Sequence, residues 1–364
     1  MKATAAVFEG AGNPFSVRMF EITDTPRGYG RSELIASGIC GTDIHMVDGT
    51  LGAPAPSIIG HEFVGKLVDC DAEEAEKYGL SIGDNVIADI AVPCGECLLC
   101  KTGDEANCVN MGFTNGGSIE EAPYLWGGYT EVNYTSLSNL VKIPASLNPT
   151  AVAAFACPGP TAMHAFKLAE RANIRLFSET VAVVQGLGPV GCYAILYLKA
   201  MGVDRVYAVL ASNNEKKISL ARALGADEVF SLARDGEEAV TARLSSEHGG
   251  LGVDLVYEAS GSPKAVPLGM NILRNRGVYL VPGQYSAAGA VAIHPETITF
   301  KAIQIIGSSQ YDMDDVRAYL AFLEQHMELE EKILALASTY PVAKINEAVA
   351  DAKAGKNVKT LLTK

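Results

Sequence analysis

The pattern of apolar and polar positions divides the chain into two regions of different character. Up to about residue 150, short apolar stretches are separated by Gly, Pro, Asn and Asp, which is typical of β-strands joined by turns. Strands are predicted at residues 3–8, 33–37, 63–69, 85–90 and 140–143. This first region is therefore predicted to be mainly β.

From about residue 170 the pattern changes to strands that alternate with helices. Strands are predicted at 180–185, 205–210, 229–232, 253–258, 277–281 and 304–307, and helices at 190–201, 214–224, 315–325 and 345–354. Strands and helices in this alternation form a parallel sheet with helices on both faces. The second region is therefore predicted to be a doubly wound α/β domain.

Residues 93–111 show neither the alternation typical of a strand nor the periodicity typical of an amphipathic helix, so they cannot bury an apolar face of their own. Their cysteines have the spacing C-x2-C-x2-C-x7-C, at Cys94, Cys97, Cys100 and Cys108. Four thiolates complete the tetrahedral coordination of Zn²⁺. An iron–sulfur protein uses similar spacing, but the Cys-Pro continuation of a ferredoxin is absent. We predict a closed zinc site that folds this lobe and performs no chemistry.

A second set of metal-ligating residue types is dispersed along the chain. Cys40 lies near His61 and Glu62 in the sequence, and Cys157 follows much later. Each is weak evidence alone, since a single histidine is more often a satisfied polar residue. Together they match the pattern of a catalytic zinc, which has three protein ligands and one open coordination position.

A glycine-rich turn follows the apolar strand at 180–185 and opens the next helix. Glycines allow a tight turn there, and the helix N-terminus stabilises a pyrophosphate. The turn consists of Gly186, Leu187, Gly188, Pro189, Val190 and Gly191. This is the position of a dinucleotide-binding turn in a Rossmann-type fold.

The residues about twenty positions later bear on the choice between NAD and NADP. An NAD-binding domain places a carboxylate there for the ribose hydroxyls, but the sequence has Ser212 and two asparagines. Lys216 could attract a 2′-phosphate, or it could belong to the solvated face of the next helix. We therefore expect NAD(P), and the missing carboxylate favours NADP.

Composition narrows the class of protein further. A length of 364 residues favours two domains, and 48% hydrophobic with 20% charged residues is typical of globular chains. The net charge of −13 would repel nucleic acid. We find neither a secretory signal nor a transmembrane stretch, so a cytoplasmic protein without membrane contact is expected.

The motifs and their order resemble the zinc-dependent medium-chain alcohol dehydrogenase family over nearly the whole chain. They are Cys40-x-Thr42-Asp43-x-His45, Gly60-His61-Glu62, the four-cysteine lobe and the glycine turn. The resemblance implies an α/β fold with a Rossmann-type doubly wound parallel sheet and a mainly β, GroES-like catalytic domain carrying a zinc lobe. It implies a catalytic domain of residues 1–160 and 296–364, a dinucleotide-binding domain of residues 161–295, and an active site in the cleft between them.

The resemblance also implies residue roles. The catalytic zinc would bind Cys40, His61 and Cys157, with Glu62 as an alternate ligand, and a second zinc would bind the four-cysteine lobe. Thr42 and His45 would pass a proton to solvent, although His45 could also be a plain surface histidine. Substrate-pocket positions correspond to Leu51 and Ile90, with Trp126 or Tyr285 as possible neighbours.

The implied activity is reversible hydride transfer between a primary, secondary or cyclic alcohol and NAD(P). One alternative is a polyol, sugar or amino-alcohol dehydrogenase of the same fold. A more distant one is a non-enzymatic zinc protein that binds partners. A homodimer or homotetramer acting on a small alcohol or ketone is expected.

Overall fold

The computed structural model describes residues 1–172 and 174–364. The chain forms two compact units. One, the discontinuous unit, comprises Met1–Pro160 and Gln310–Lys364. The other, the inserted unit, comprises Thr161–Ser309.

The N-terminal part of the discontinuous unit is mainly β, as its sequence pattern predicts. Its elements are β1 (Lys2–Val7), β2 (Ser16–Glu21), β3 (Tyr29–Ile39), α1 (Gly41–Val47), β4 (Glu62–Cys70), α2 (Ala72–Glu76), β5 (Asn85–Ala88), β6 (Ala91–Val92), α3 (Leu98–Lys101), β7 (Gly112–Phe113), β8 (Val132–Ser136), β9 (Leu140–Lys142) and α4 (Pro149–Ala154).

The chain continues through the alternating region. Its elements are α5 (Pro158–Arg171), β10 (Val181–Gln185), α6 (Pro189–Ala200), β11 (Arg205–Leu210), α7 (Glu215–Leu224), β12 (Glu228–Ser231), α8 (Leu232–Asp235), α9 (Glu237–Ser245), α10 (Glu247–Gly250), β13 (Val253–Glu258), α11 (Ala265–Ile272), β14 (Leu273–Val281), α12 (Pro295–Lys301) and β15 (Gln304–Gly307). The C-terminal part adds α13 (Met313–Gln325), α14 (Glu330–Leu334), β16 (Ala337–Pro341), α15 (Ile345–Lys353) and β17 (Lys359–Thr363).

The inserted unit contains a parallel sheet in the order β12-β11-β10-β13-β14-β15. Every residue of β10 and β13 is buried, which is what a strand covered on both faces requires. The reversal of strand order lies between β10 and β13, where doubly wound sheets bind dinucleotides. The expected Rossmann-type fold is confirmed.

The predicted second domain boundary, at residue 296, differs from the boundary after Ser309 in the structure. The reason is that β15 pairs in parallel with β14, with Val278 opposite Gln304. The edge strand and the helix α12 before it therefore belong to the inserted unit.

The discontinuous unit is organised around a largely antiparallel sheet in the order β16-β17-β3-β4-β5-β9, and β8 also pairs with β3. β17, from the C-terminal end of the sequence, lies between β16 and β3. Side chains such as Phe8, Leu67 and Tyr134 form the buried core of this unit. Within the described residues, every helix is too short or too polar to cross a membrane.

Candidate active site

Cys40 lies at the junction of β3 and α1, where the backbone changes from extended to helical. It is the N-cap residue of α1, and its backbone N–H donates a hydrogen bond to Oδ2 of Asp43 at 2.8 Å. This capping interaction fixes the first turn of the helix. The thiol of Cys40 is thereby held at the end of the central strand.

The structure brings four predicted ligands of the discontinuous unit together. One ligand atom each from Cys40, His61, Glu62 and Cys157 lies within 4.8 Å of the others. The two thiol sulfurs are 3.9 Å apart. His61 and Glu62 enter from the start of β4, and Cys157 lies between α4 and α5. Two thiols and an imidazole form a donor set that fits zinc.

The imidazole of His61 is held from its other side by a buried carboxylate. Nδ1 of His61 lies 3.3 Å from Oδ1 of Asp43, and both side chains are almost fully buried. Burial alone would lower the pKa of His61, but the charges of Asp43 and Cys40 raise it above its usual range. A carboxylate at one ring nitrogen orients the other nitrogen toward a metal.

The two thiols of the cluster differ in acidity. A hydrogen bond from Cys157 lowers the pKa of Cys40, against the effect of burial, and the charge of His61 lowers it further. The same hydrogen bond, with burial, raises the pKa of Cys157. Cys40 is therefore the thiol that ionises first, and thiolate is the form that binds a metal.

Glu62 has a partner that the sequence did not reveal. Its carboxylate forms an ion pair with Lys359 of β17, and both side chains are completely buried. Burial raises the pKa of Glu62 to about 7, although the charge of Lys359 opposes this. Nζ of Lys359 also donates to the carbonyl of Ile39 at 3.3 Å. A side chain at Gly38 would collide with Glu62, so glycine there leaves room for the pair.

The remaining predicted residues of this unit occupy more exposed positions. Thr42 lies in the first turn of α1, with its hydroxyl 3.8 Å from Sγ of Cys40. His45 is half-buried on the same helix, and its Nδ1 lies 2.9 Å from the hydroxyl of Thr50. The helix thus carries a hydroxyl next to the cluster and an imidazole farther along.

The pocket positions implied by the resemblance have different environments. Ile90 is buried and Leu51 is half-exposed. Trp126 packs against the core of the discontinuous unit, edge-on to Tyr29 with ring centroids 5.6 Å apart. Trp126 therefore has a packing role.

The lobe cysteines converge as their spacing predicts. Ligand atoms of Cys94, Cys97, Cys100 and Cys108 lie within 4.8 Å of one another. The sulfurs of Cys97 and Cys100 are 3.5 Å apart. Backbone N–H groups point at the sulfurs, for example from Cys97 to Sγ of Cys94 at 3.4 Å. Such donors stabilise thiolates, so the lobe fits a closed four-sulfur zinc site.

The glycine turn lies at the carboxyl end of β10 in the inserted unit. Gly186 has a φ of 88°, which favours glycine, and a Cβ at Gly191 would collide with the Gly186 carbonyl. Gly188 is the N-cap of α6, which begins at Pro189. Leu187 is buried and Val190 is half-buried at the helix start. The turn thus leaves free backbone N–H groups of a helix N-terminus for a pyrophosphate.

The segment after β11 is exposed. Ser212 and Lys216 are both solvent-accessible, and Asn214 caps α7 by accepting from the backbone N–H of Lys217 at 3.1 Å. Tyr285, a possible pocket neighbour by resemblance, lies in this unit and donates its phenol hydrogen to Glu258 at 2.6 Å.

Known proteins resemble the chain in sequence across both regions. Residues 33–145 match the alcohol dehydrogenase GroES-like domain, and residues 189–325 match the zinc-binding dehydrogenase family. A 5-exo-hydroxycamphor dehydrogenase of Pseudomonas putida is 32% identical over 79% of this chain and 78% of that protein. The chain belongs to the zinc-dependent medium-chain dehydrogenase family. The resemblance drawn from its motifs is confirmed.

Other members share the sequence or the fold. An erythritol/L-threitol dehydrogenase of Mycolicibacterium smegmatis is 33% identical over 79% of this chain and 77% of that protein. The crystal structure of an alcohol dehydrogenase from Thermotoga maritima has a TM-score of 0.89 and 25% identity, covering 100% of this chain and 99% of that one. The enzyme is thus an oxidoreductase of a family that uses zinc and a nicotinamide cofactor and acts on small molecules.

Proposed function

We propose that the enzyme catalyses reversible hydride transfer between an alcohol and NAD(P). In the oxidative direction, the carbinol C–H bond breaks and its electron pair passes as hydride to the nicotinamide, while the hydroxyl proton is released to solvent. A ketone or aldehyde and NAD(P)H are the products. The observation that carries this proposal is the convergence of the ligand atoms of Cys40, His61 and Cys157, with Glu62 beside them. Two thiolates and an imidazole would supply three ligands to a zinc ion, and its fourth position would be available to substrate.

A zinc ion bound there would act as a Lewis acid toward the alcohol oxygen. The chain's own residues hold and orient this site. Asp43 fixes the ring of His61, and Lys359 holds the carboxylate of Glu62 beside the cluster. The hydroxyl of Thr42 would take up the substrate proton as it gives up its own, and a relay that ends at His45 would carry the released proton to solvent.

The lobe would hold a second, structural zinc, giving two zinc ions per chain. Its four sulfurs leave no open position, so substrate cannot bind there. We expect a homodimer or homotetramer that works in the cytoplasm, and light scattering with subcellular fractionation tests both expectations.

A hydrophobic secondary or cyclic alcohol is the favoured substrate class. Ile90 and Leu51 are apolar, and the relative from Pseudomonas putida is named for a cyclic hydroxy compound. A polyol is the second candidate, because the relative from Mycolicibacterium smegmatis is named for erythritol and threitol.

A panel of cyclic alcohols, linear secondary alcohols and polyols, each assayed with NAD⁺ and NADP⁺, tests this proposal. Highest kcat/KM is expected with a cyclic or secondary alcohol. Highest kcat/KM with a polyol would replace the first candidate by the second. Absence of dinucleotide reduction with every alcohol, in protein containing two zinc ions, would overturn both.

NADP is the proposed dinucleotide, because Ser212 stands where an NAD-binding chain has a carboxylate and the nearby Lys216 is exposed. Replacement K216A should raise KM for NADP⁺ about tenfold and leave KM for NAD⁺ unchanged. Replacement S212D should weaken NADP⁺ by charge repulsion and improve NAD⁺. Steady-state kinetics with both dinucleotides checks this, and equal effects of K216A on both would contradict the preference.

A further inference from the structure

A buried carboxylate of the inserted unit has no part in the function described so far. Glu258 is the last residue of β13 and is completely buried. Its Oε1 accepts from the backbone N–H of Ser260 at 2.8 Å and also from the Ser260 hydroxyl. Its Oε2 accepts from the phenol of Tyr285 at 2.6 Å. Both oxygens thus accept hydrogen bonds, which is the pattern of an ionised carboxylate.

Glu258 is contacted by hydrogen-bond donors and, in the part of the chain that the structure describes, forms no ion pair. Among residues 1–172 and 174–364, no Lys, Arg or His forms an ion pair with it, whereas the buried Glu62 is paired with Lys359. Burial and the neighbouring carboxylate raise the pKa of Tyr285, so the phenol remains a neutral donor. A buried charge without a counter-ion is costly and uncommon in a folded protein. Here the three donors at its oxygens stabilise the ionised form of Glu258, so the carboxylate presents a negative charge that none of the described residues neutralises by an ion pair.

The position of Glu258 relates it to the dinucleotide. β13 neighbours β10, and both strands end at the carboxyl edge of the sheet. A Cβ on Gly186 would lie 2.7 Å from Cα of Ser260, so the glycine turn and the segment after Glu258 are in direct contact. In a sheet of this order, each half binds one mononucleotide. The half that begins with β10 and β11 takes the adenosine end, because the ribose-binding position follows β11. The half that begins with β13 takes the nicotinamide end.

We propose that Glu258 is a fixed negative charge that strengthens the binding of the oxidised dinucleotide relative to the reduced one. The oxidised nicotinamide ring carries a positive charge, and the reduced ring is neutral. The phosphates of both forms carry the same charge, so the effect of Glu258 on them cancels when the two forms are compared. The contribution of Glu258 to the difference in affinity then comes from the ring charge. This inference rests on the proposed dinucleotide-dependent function.

The variant E258Q removes the charge and keeps the shape of the side chain. Its amide oxygen can accept from the N–H of Ser260, and its NH₂ group can donate to Tyr285 once the phenol hydroxyl rotates. Equilibrium dissociation constants for NADP⁺ and NADPH, and then for NAD⁺ and NADH, are measured by calorimetry without alcohol. We expect the ratio Kd(oxidised)/Kd(reduced) to rise about five- to tenfold in E258Q. The change should persist at high salt, because a buried charge is weakly screened.

Two further variants distinguish the effect of the Glu258 charge from a general effect of net charge and from the loss of a hydrogen bond. E237Q removes one negative charge from an exposed position at the start of α9 and should leave the ratio unchanged. Y285F keeps the carboxylate and removes one hydrogen bond, so its ratio should remain close to that of the wild type. Thermal unfolding of each variant reports on folding independently.

The outcomes distinguish the inference from the function on which it rests. If E258Q binds both forms more weakly by the same factor, Glu258 has only a structural role and the inference is wrong. A ratio in E258Q equal to that of the wild type also overturns it. If the wild-type enzyme binds none of the four dinucleotides, the proposed function itself fails.

Discussion

The ammonium of Lys359 and the carboxylate of Glu62 are buried together next to the proposed metal ligands. Removing each charge from water costs several kcal/mol, and their attraction offsets this cost only while both are present. Gly38 contributes by leaving the space that the two side chains fill. The pair therefore joins β17 to the start of β4. Loss of either partner would leave the other charge buried without compensation.

Replacement K359M should lower the free energy of unfolding by about 3–5 kcal/mol, because it leaves Glu62 buried without its counter-ion. The double variant E62Q/K359M should recover part of this loss. The matched control is K364M, which breaks the exposed pair between Lys364 and Glu33 and should cost at most about 1 kcal/mol. Urea unfolding measures the free energy of unfolding of all three variants. Equal losses for K359M and K364M would contradict the prediction that the buried pair contributes more than the exposed one.

Replacement C40A should reduce the zinc content from two ions per chain to one and abolish turnover, since Cys40 is the thiol most easily ionised in the cluster. The control C70A removes a half-buried thiol at the end of β4 and should keep both ions and most of the activity. Metal analysis measures the zinc content of each variant, and steady-state kinetics measure its turnover. Full activity of C40A with one ion lost would refute the assignment of the catalytic zinc.

The four-cysteine lobe is an element whose order depends on a metal. α3 has only four residues, and exposed side chains such as Leu98 and Val109 provide little apolar burial. Since a helix of this length is unstable by itself, the metal must hold the lobe together.

Replacement C97S should therefore remove one zinc ion and make the lobe accessible to proteases. Trypsin should cleave after Lys101, which lies on the lobe, at least about tenfold faster than in the wild type. Cleavage after the exposed Lys77, which directly follows α2, should not change and serves as the internal control. Mass spectrometry of the early fragments measures both rates. Retention of two zinc ions by C97S would disprove the predicted ligand set.

Elements buried on both faces were predicted best from the sequence. The strands at 205–210 and 253–258 have the predicted bounds, because continuous apolar runs between turn residues specify them locally. The cysteine spacing also predicts the convergence of the lobe sulfurs. The ion pair of Lys359 with Glu62 could not be predicted, because its partners lie far apart in sequence. The hydrogen bond between Tyr285 and Glu258 has no local signal either.

The lack of a local sequence signal for contacts between distant segments also explains the difference in the domain boundary. The pattern at 304–307 predicts a strand, but it does not say which sheet the strand joins. Only the pairing of β15 with β14 assigns it to the inserted unit. Sequence patterns thus give the elements, and contacts between distant segments give the boundary of the units.

At the level of the whole molecule, segments more than 300 residues apart in sequence meet in one sheet. β17 pairs with β3 on one side and β16 on the other. Deletion of residues 359–364 should therefore prevent folding of the discontinuous unit, because it removes an interior strand and the partner of Glu62. Deletion of Lys364 alone should be tolerated. Soluble yield and circular dichroism compare the two truncations, and a folded protein lacking all six residues would contradict the prediction.

The position of β17 has a consequence for synthesis on the ribosome. The edge of β3 at Ser37–Ile39 emerges early, but its partner in β17 emerges only after roughly 320 further residues, which takes about 20 to 60 s. During that time the inserted unit can complete its own sheet, while β3 has an open edge that can pair with another nascent chain. We therefore expect chaperones that bind nascent chains to engage the N-terminal region and to be released only after β17 has emerged.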